Sequence, residues 1–343
     1  MADTARRVEL QVKIDGVDIS TSINPYLTSC SYTDNESDKT DDLQIDVDDR
    51  EGIWSNEWFP TKGSLISVTA IQRNWNSDGK SRILDCGTFE IDTVKAKGFP
   101  RAASFSGTSL PYSSTLRIQK VNKAWENIKL SAIAGEIAKK HSLSLIYDSS
   151  YNPQYKRREQ IQMSDIVFLQ SLCGAAGISL KATSNTLVLF DASKYEQKPT
   201  ICEIKYGASD LLSWNLDTKT SDVSYGRCHV IYTSPDTGKT IEYTYTPIDG
   251  DKSNDNQILE INEKVNTREE ARQLAMKRLR QKNKAEFSAE FTLVGDVTLA
   301  AGATVKVTGY GVFDGKYIIE TATHNFTGGY TVTVKLRKVL EGY

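Results

Sequence analysis

The stretch Ile83-Leu84-Asp85-Cys86-Gly87-Thr88-Phe89-Glu90-Ile91-Asp92 decides the fold class. It follows the β-branched run Leu65-Ile66-Ser67-Val68-Thr69-Ala70-Ile71, with polar Asn74 to Arg82 between them. Together they read as strand, turn, strand. Upstream, Val8, Leu10, Val12 and Ile14 alternate with polar residues and end on an Asp15-Gly16 turn, and Leu43, Ile45 and Val47 alternate likewise. Short strands at this spacing predict a small barrel or sandwich over residues 1–120.

Downstream the period changes. Leu130, Ile133, Ala134, Ile137 and Ala138 form one apolar helical face. A short strand over 143–147 follows, then a second helix capped by Ser164 and stopped near Gly174 or Gly177. The runs 178–182 and 186–190 read as a hairpin, so residues 121–200 are a compact α/β insert. From 201 to 343 the chain is again β-rich. One helix near 267–283 interrupts it, opened by a Thr267–Glu270 capping box. The order is β-module, α/β insert, β-module, with no internal repeat visible at the residue level.

The composition agrees with a folded, β-leaning chain. Its 343 residues suffice for two or three cores, and the 16 Tyr and 10 Phe favour strands. A formal charge of -2 supplies no basic field for nucleic acid. The opening MADTARRVELQVKID has no apolar signal region, and no apolar run is long enough to span a bilayer, so a soluble cytoplasmic product is expected. Cys30, Cys86, Cys173, Cys202 and Cys228 are odd in number and lack a CxxC pair. They read as small buried thiols, not a zinc or disulfide framework.

Candidate chemistry is sparse. Ser234 to Thr240 ends like a phosphate-binding loop, but Thr233 stands where the first Gly is needed, and the flanks read as a hairpin. Asp249, Asp251, Ser253, Asp255, Gln257 and Glu260 follow the spacing of a calcium loop, yet no helix precedes them. A solvated loop is the favoured reading, and calcium over 249–260 stays open. His141, His229 and His324 form no metal motif, and Cys228 and His229 point to opposite faces of one strand. Ser109 lacks the second Gly of a nucleophile elbow. No catalytic, cofactor or metal residues are assigned.

Two charge blocks carry more information. Residues 34–51 are acidic, with Asp41, Asp42, Asp46 and Asp48 at their centre. Arg268, Arg272, Lys277, Arg278 and Arg280 make the late helix basic. Two readings stay open: solvated faces, or docking surfaces between subunits or along a channel. The basic stretch lacks the interleaved aromatics of a nucleic-acid groove.

Several segments, taken in order, resemble the late control protein D family, the central baseplate hub proteins of contractile phage tails and phage-tail-like bacteriocins. They are Asp41 to Gly52 with Trp54 and Trp58, Pro60 to Gly63, Cys86 to Asp92, and Gly98-Phe99-Pro100. Then come Trp125-Glu126-Asn127, Gln160 to Asp165, Ala301 to Val305, Phe313 to Ile319, His324 and Tyr330-Thr331. The resemblance implies a mainly β fold with an α/β insert: two tail-tube-like β-barrels separated by a small α/β region. It also implies a homotrimer that joins a hexameric tube to a trimeric spike, with tube or tube-initiator and baseplate wedge proteins as further partners. No membrane, sequence-specific nucleic acid or cofactor is expected, and no enzymatic activity. Assembly in the bacterial cytoplasm into a virion tail or tail-like particle follows. The chain leaves no room after Tyr343 for a fused spike, so spike and lytic functions are expected on separate proteins. Gly87, Gly98, Gly302 and Gly315 are expected at turns with positive φ or close backbone approach, and Gly63, Cys86, Asp92 and Pro100 belong to the same motifs. Trp54, Trp58, Phe89 and Tyr317 are expected as anchors, and His324 as a local hydrogen-bonding residue. The competing readings are a tail-associated cell-wall hydrolase and a wall-binding module, the latter hinted at by Tyr243 and Tyr245.

Overall fold

A computed structural model describes residues 5–75, 79–110, 115–183, 185–219, 221–235, 238–247, 257–340 and 342. The chain opens with β1 (Arg7–Ile14), β2 (Val17–Asp18), α1 (Ser20–Ile23), β3 (Leu27–Asn35), β4 (Asp42–Asp48), β5 (Leu65–Arg73), β6 (Ser81–Lys97) and β7 (Ala102–Thr108). The middle holds α2 (Thr115–Ile118), β8 (Lys120–Lys129), α3 (Leu130–Lys140), β9 (Ser144–Asp148), β10 (Gln154–Ser164), α4 (Asp165–Ala176), β11 (Ser179–Ala182), β12 (Thr186–Phe190) and α5 (Ala192–Glu196). After it come β13 (Cys202–Lys205), β14 (Leu211–Thr218), β15 (Arg227–Thr233), β16 (Thr240–Tyr245) and β17 (Ile258–Ile261). The chain finishes with α6 (Arg268–Asn283), β18 (Phe287–Val294), β19 (Thr304–Thr308), β20 (Gly315–Asn325) and β21 (Thr331–Lys338).

Local chemistry accounts for most boundaries. The apolar stripe of α3 is buried along its length, and Gly177 ends α4 with φ 64°. Thr267 caps α6: its Oγ1 accepts from the Glu270 N–H at 3.1 Å, while Glu270 accepts from the Asn266 N–H at 2.7 Å. Ser164 differs from expectation. It sits at the N-cap of α4 but makes no capping bond, and Asp165 supplies the negative charge at that end.

Among the described residues, strands of both β-modules belong to one 13-stranded sheet, ordered β14-β18-β21-β20-β3-β4-β7-β6-β5-β1-β2, with β13-β19 attached to β20. The second module therefore runs β14-β18-β21-β20-β19-β13 and the first β3-β4-β7-β6-β5-β1. These are the same order. The registers coincide too. β3 bulges against β4 between Leu27 and Ser29, and β14 against β18 between Leu211 and Ser213. β6 bulges against β7 between Ile91 and Thr93, and β20 against β21 between Ile319 and Thr321. Gly63 N donates to Ile91 O at 2.8 Å, and Gly302 N to Ile319 O at 2.8 Å.

The chain thus contains an internal duplication. Superposing the registers aligns Gly87-Thr88-Phe89-Glu90-Ile91-Asp92-Thr93 with Gly315-Lys316-Tyr317-Ile318-Ile319-Glu320-Thr321. A Gly-x-aromatic-x-Ile-acid-Thr repeat is present at the residue level, contrary to the sequence reading.

Among the described residues, three hydrophobic cores hold the molecule. One runs through both β-units and includes Ile45, Phe89, Phe105, Phe291 and Tyr317. The second packs α3 and α4 against β11 and β12. The third lies between α6 and the small β16-β15-β17 sheet.

Candidate assembly interface

The two β-units meet along β3 and β20. These strands pair antiparallel, with Asn35 opposite Thr321, Thr33 opposite Thr323 and Ser31 opposite Asn325. Thr33 and Thr323 join hydroxyls at 3.2 Å on the half-buried face. On the buried face Tyr32 stacks on His324, whose ring also stacks near Phe326 and Tyr330. His324 Nε2 lies 3.0 Å from the Leu299 carbonyl, which can only accept, so Nε2 carries the proton. Nδ1 then accepts from the Tyr330 hydroxyl at 2.7 Å. Burial depresses the imidazole pKa to about 4, so this ring is a neutral structural member near pH 7.

The insert and α6 are clamped to this sheet by ion pairs. Arg337 on β21 is 3% exposed and meets Glu196 at 2.6 Å, Glu320 at 3.2 Å and Glu36 at 3.6 Å. Burial opposes its charge, but Glu196 and Glu36 more than offset that and raise its pKa. Burial pushes the Glu36 carboxyl up, partly countered by Arg337. Glu196 at the end of α5 also accepts from Arg280 of α6. Lys181 of β11 reaches Asp34 at 2.8 Å and Asp41 at 3.3 Å. Insert, late helix and both β-units are tied into one body at these carboxylates.

The expected interface residues divide accordingly. Asp41 is buried and faces the insert's Lys181. Lys277 pairs with Asp191 at 3.3 Å, Arg278 with Glu263 at 2.5 Å, and Arg280 with Glu196. Burial holds the Lys277 pKa below its ordinary value, with Asp191 opposing. Arg272 pairs along its own helix with Glu269 at 2.8 Å, and Arg268 lies over the Tyr243 ring. Asp46 accepts from Ser104, and Asp48 pairs with Arg50 at 3.0 Å, while Asp42 is exposed. Some of these charges pair within their own segment and others across the chain, and none of these ion pairs joins the acidic block to the basic one.

The motif residues fall on the cores and turns. Trp54 is buried, stacks on Phe105 and meets Trp58 edge-on, whereas Trp58 is 43% exposed. Cys86, Phe89 and Tyr317 are buried, and Asp92 occupies the β6 bulge. Gly63, Gly87 and Gly302 have φ between 81° and 91°. Gly315 has φ 147°, and a Cβ there would meet the Lys338 side chain at 2.9 Å. Gly98 departs from expectation: it has no positive φ and open space at its Cβ position. It is joined by a cis peptide bond to Phe99, which is joined by another to Pro100.

Other readings are narrowed. β15 and β16 pair as the expected hairpin, and its tip at 236–237 lies outside the described residues. The 249–256 part of the calcium-like loop also lies outside them, while Glu260 bonds His229 Nδ1 at 2.8 Å. Among the described residues, no group of three His, Cys, Asp or Glu side chains could hold a metal ion. Among the described residues, no helix is long and apolar enough to cross a membrane. Tyr243 and Tyr245 pack against the small core under α6.

Besides the residue-level repeat, sequence reasoning missed two features. The Arg337–Glu196 pair joins positions 141 residues apart, with no local signature. The other is the sheet's open outer edge at β14, which only topology shows.

Residues 118–337 match the YQBQ-like family. A probable baseplate hub protein of Escherichia phage 186 is 24% identical over 192 residues, 56% of this chain and 47% of the relative. That of Escherichia phage P2 is 26% identical over 188 residues, 54% of this chain and 46% of the relative. The chain spans about half the length of the curated relatives it matches. A tail protein from Neisseria meningitidis MC58 shares the fold at TM-score 0.69 and 13% identity, covering 97% of each chain. The hub resemblance read from the sequence and the mainly β fold with its α/β insert agree with these relatives. With the match extending over more than half of its length, the chain belongs to the YQBQ-like family.

Proposed function

We propose that the chain is a structural, non-enzymatic baseplate hub of a contractile tail or tail-like particle. Three copies surround a central channel and join a sixfold tube to a threefold spike. The observation that carries this reading is the duplication: two β-units of one strand order and one register in each chain. Three such chains present six near-equivalent units, so one ring satisfies both rotational orders.

The sheet suits a channel wall. Its core face is apolar, while its other face carries Gln44, Ser104, Ser106, Thr292, Thr323 and Thr333. Small hydroxyl and amide side chains hydrogen-bond water and offer a passing polymer no sticky apolar patch. The spike, the tube or tube initiator and the wedge proteins are the assigned partners, and assembly takes place in the bacterial cytoplasm. In the cleft between the insert and α6, lined by Asp38, Asp191 and Glu196, the last two are ion-paired with Lys277, Arg280 and Arg337, which argues for structural service over hydrolysis there.

Native mass measurement of the purified chain, alone and with a trimeric spike protein, tests this reading. A trimer that takes up one spike is expected. A monomer under all conditions, or peptidoglycan release by the isolated chain, contradicts it.

A further inference from the structure

From the internal duplication we infer how one copy joins the next: β14 of one chain pairs antiparallel with the second half of β6 of its neighbour, Asp217 opposite Lys95. The inference rests on the proposed ring and specifies its contacts.

Within the chain, the β-units join because β3 of the first lies against residues 321–325 of β20 in the second. The shared register makes β14 the counterpart of β3, since Leu27 and Ser29 match Leu211 and Ser213 at the same bulge. It makes β6 the counterpart of β20, since Ile91 and Thr93 match Ile319 and Thr321. So each unit carries both kinds of edge, one matching β3 and one matching β20. The intrachain seam uses β3 of the first unit and β20 of the second. It leaves β14 of the second and the far half of β6 of the first.

Those two edges are open among the described residues. β14 pairs with β18 alone and stands at the end of the sheet. β6 pairs with β5 only as far as Glu90, so residues 93–97 are covered on the β7 side and bare on the other. Lys95, Lys97, Asn215 and Asp217 are all exposed. An open strand edge of this kind is a template for pairing, and here neither edge is blunted by proline.

Carrying the β3–β20 register across sets Thr93 opposite Lys219, Lys95 opposite Asp217 and Lys97 opposite Asn215. The Thr33–Thr323 contact of the intrachain seam becomes an aspartate–lysine pair between copies, so the charges are complementary at its centre. This contact is heterologous: each copy offers β14 to one neighbour and β6 to the other. Such contacts generate a ring when the rotation closes.

The test is oxidative cross-linking of Asp217→Cys/Lys95→Cys, with each single variant as control. A disulfide between copies in the double variant alone supports the inference. A trimeric double variant that gives no linkage above the controls overturns the register and leaves the hub reading standing, whereas a monomeric wild type overturns both. Charge reversal guards against a cysteine variant that fails to assemble. Asp217→Lys and Lys95→Asp each should weaken association about fivefold per interface, and the combined exchange should restore it. Failure of the exchange to restore association, in chains that remain folded, contradicts the pairing.

Discussion

The two β-units share strand order, bulges and register, yet they spend equivalent positions differently. In the first, the hairpin between β6 and β7 presents Phe99 at 99% exposure; in the second, the hairpin between β20 and β21 buries Phe326 and Tyr330 around His324. β3 is covered by β20, while its counterpart β14 is bare. Position 336 holds a buried Leu, and its counterpart is Gly107, where Glu90 backbone approaches. The shared backbone fixes the geometry. The side chains decide which edges close within the chain and which stay open among the described residues.

That contrast can be broken most severely at Arg337, whose counterpart in the first unit is the neutral Thr108. Arg337→Met leaves Glu36 buried without its ion-pair partner and Glu196 with Arg280 alone, and should cost about 3–5 kcal/mol. Thr108→Met, on a half-buried position, should cost much less. Urea denaturation of both variants checks this, and equal losses would count against the clamp.

Gly107→Ala tests the opposite asymmetry. A Cβ there would meet Glu90 O at 2.5 Å and the Phe89 Cβ at 3.2 Å, and neither can rotate away. A loss of about 3 kcal/mol is expected in thermal or urea unfolding. Unchanged stability would show that β6 and β7 can separate without cost.

His324 separates the units by pH, since its counterpart is Ala96. Its folded pKa, about 4, lies below the unfolded value of 6.5. The unfolded state therefore binds a proton first as pH falls. Stability from this residue is complete above pH 6.5 and is lost down to about pH 4, amounting to about 3 kcal/mol. His324→Gln should flatten the urea midpoint across that window relative to the wild type. An unaltered slope would assign the dependence to carboxylates instead.

The smallest effect belongs to α6, which interrupts the second unit and has no counterpart among the described residues of the first. Thr267→Ala removes the cap bond to Glu270 and should cost about 1 kcal/mol. Thr267→Ser should cost little, and differential unfolding of the pair reads the cap alone.

Much of the fold was legible in the sequence because it was written locally. The alternation in β1 and β4, the apolar face of α3, the cap of α6 and the stop at Gly177 all reappear in place. Two like barrels were expected from the family resemblance, but the repeat itself was not legible, because its sequence trace is a seven-residue pattern with Phe exchanged for Tyr and Asp for Glu, separated by the insert. Ladder register was needed to align it. The charge blocks were legible as composition but not as contacts. Asp41 and Arg280 find Lys181 and Glu196 across long stretches of chain, and no spacing rule reports such pairs. Gly98 looked like a positive-φ glycine from its motif and is not one.

The claim on which the account turns is that each chain contributes two equivalent β-units to one ring. Imaging the purified assembly along its axis tests this most directly. The account predicts three copies forming six evenly spaced β-units around a single channel. Three copies in which only one of the two units faces the axis would contradict it.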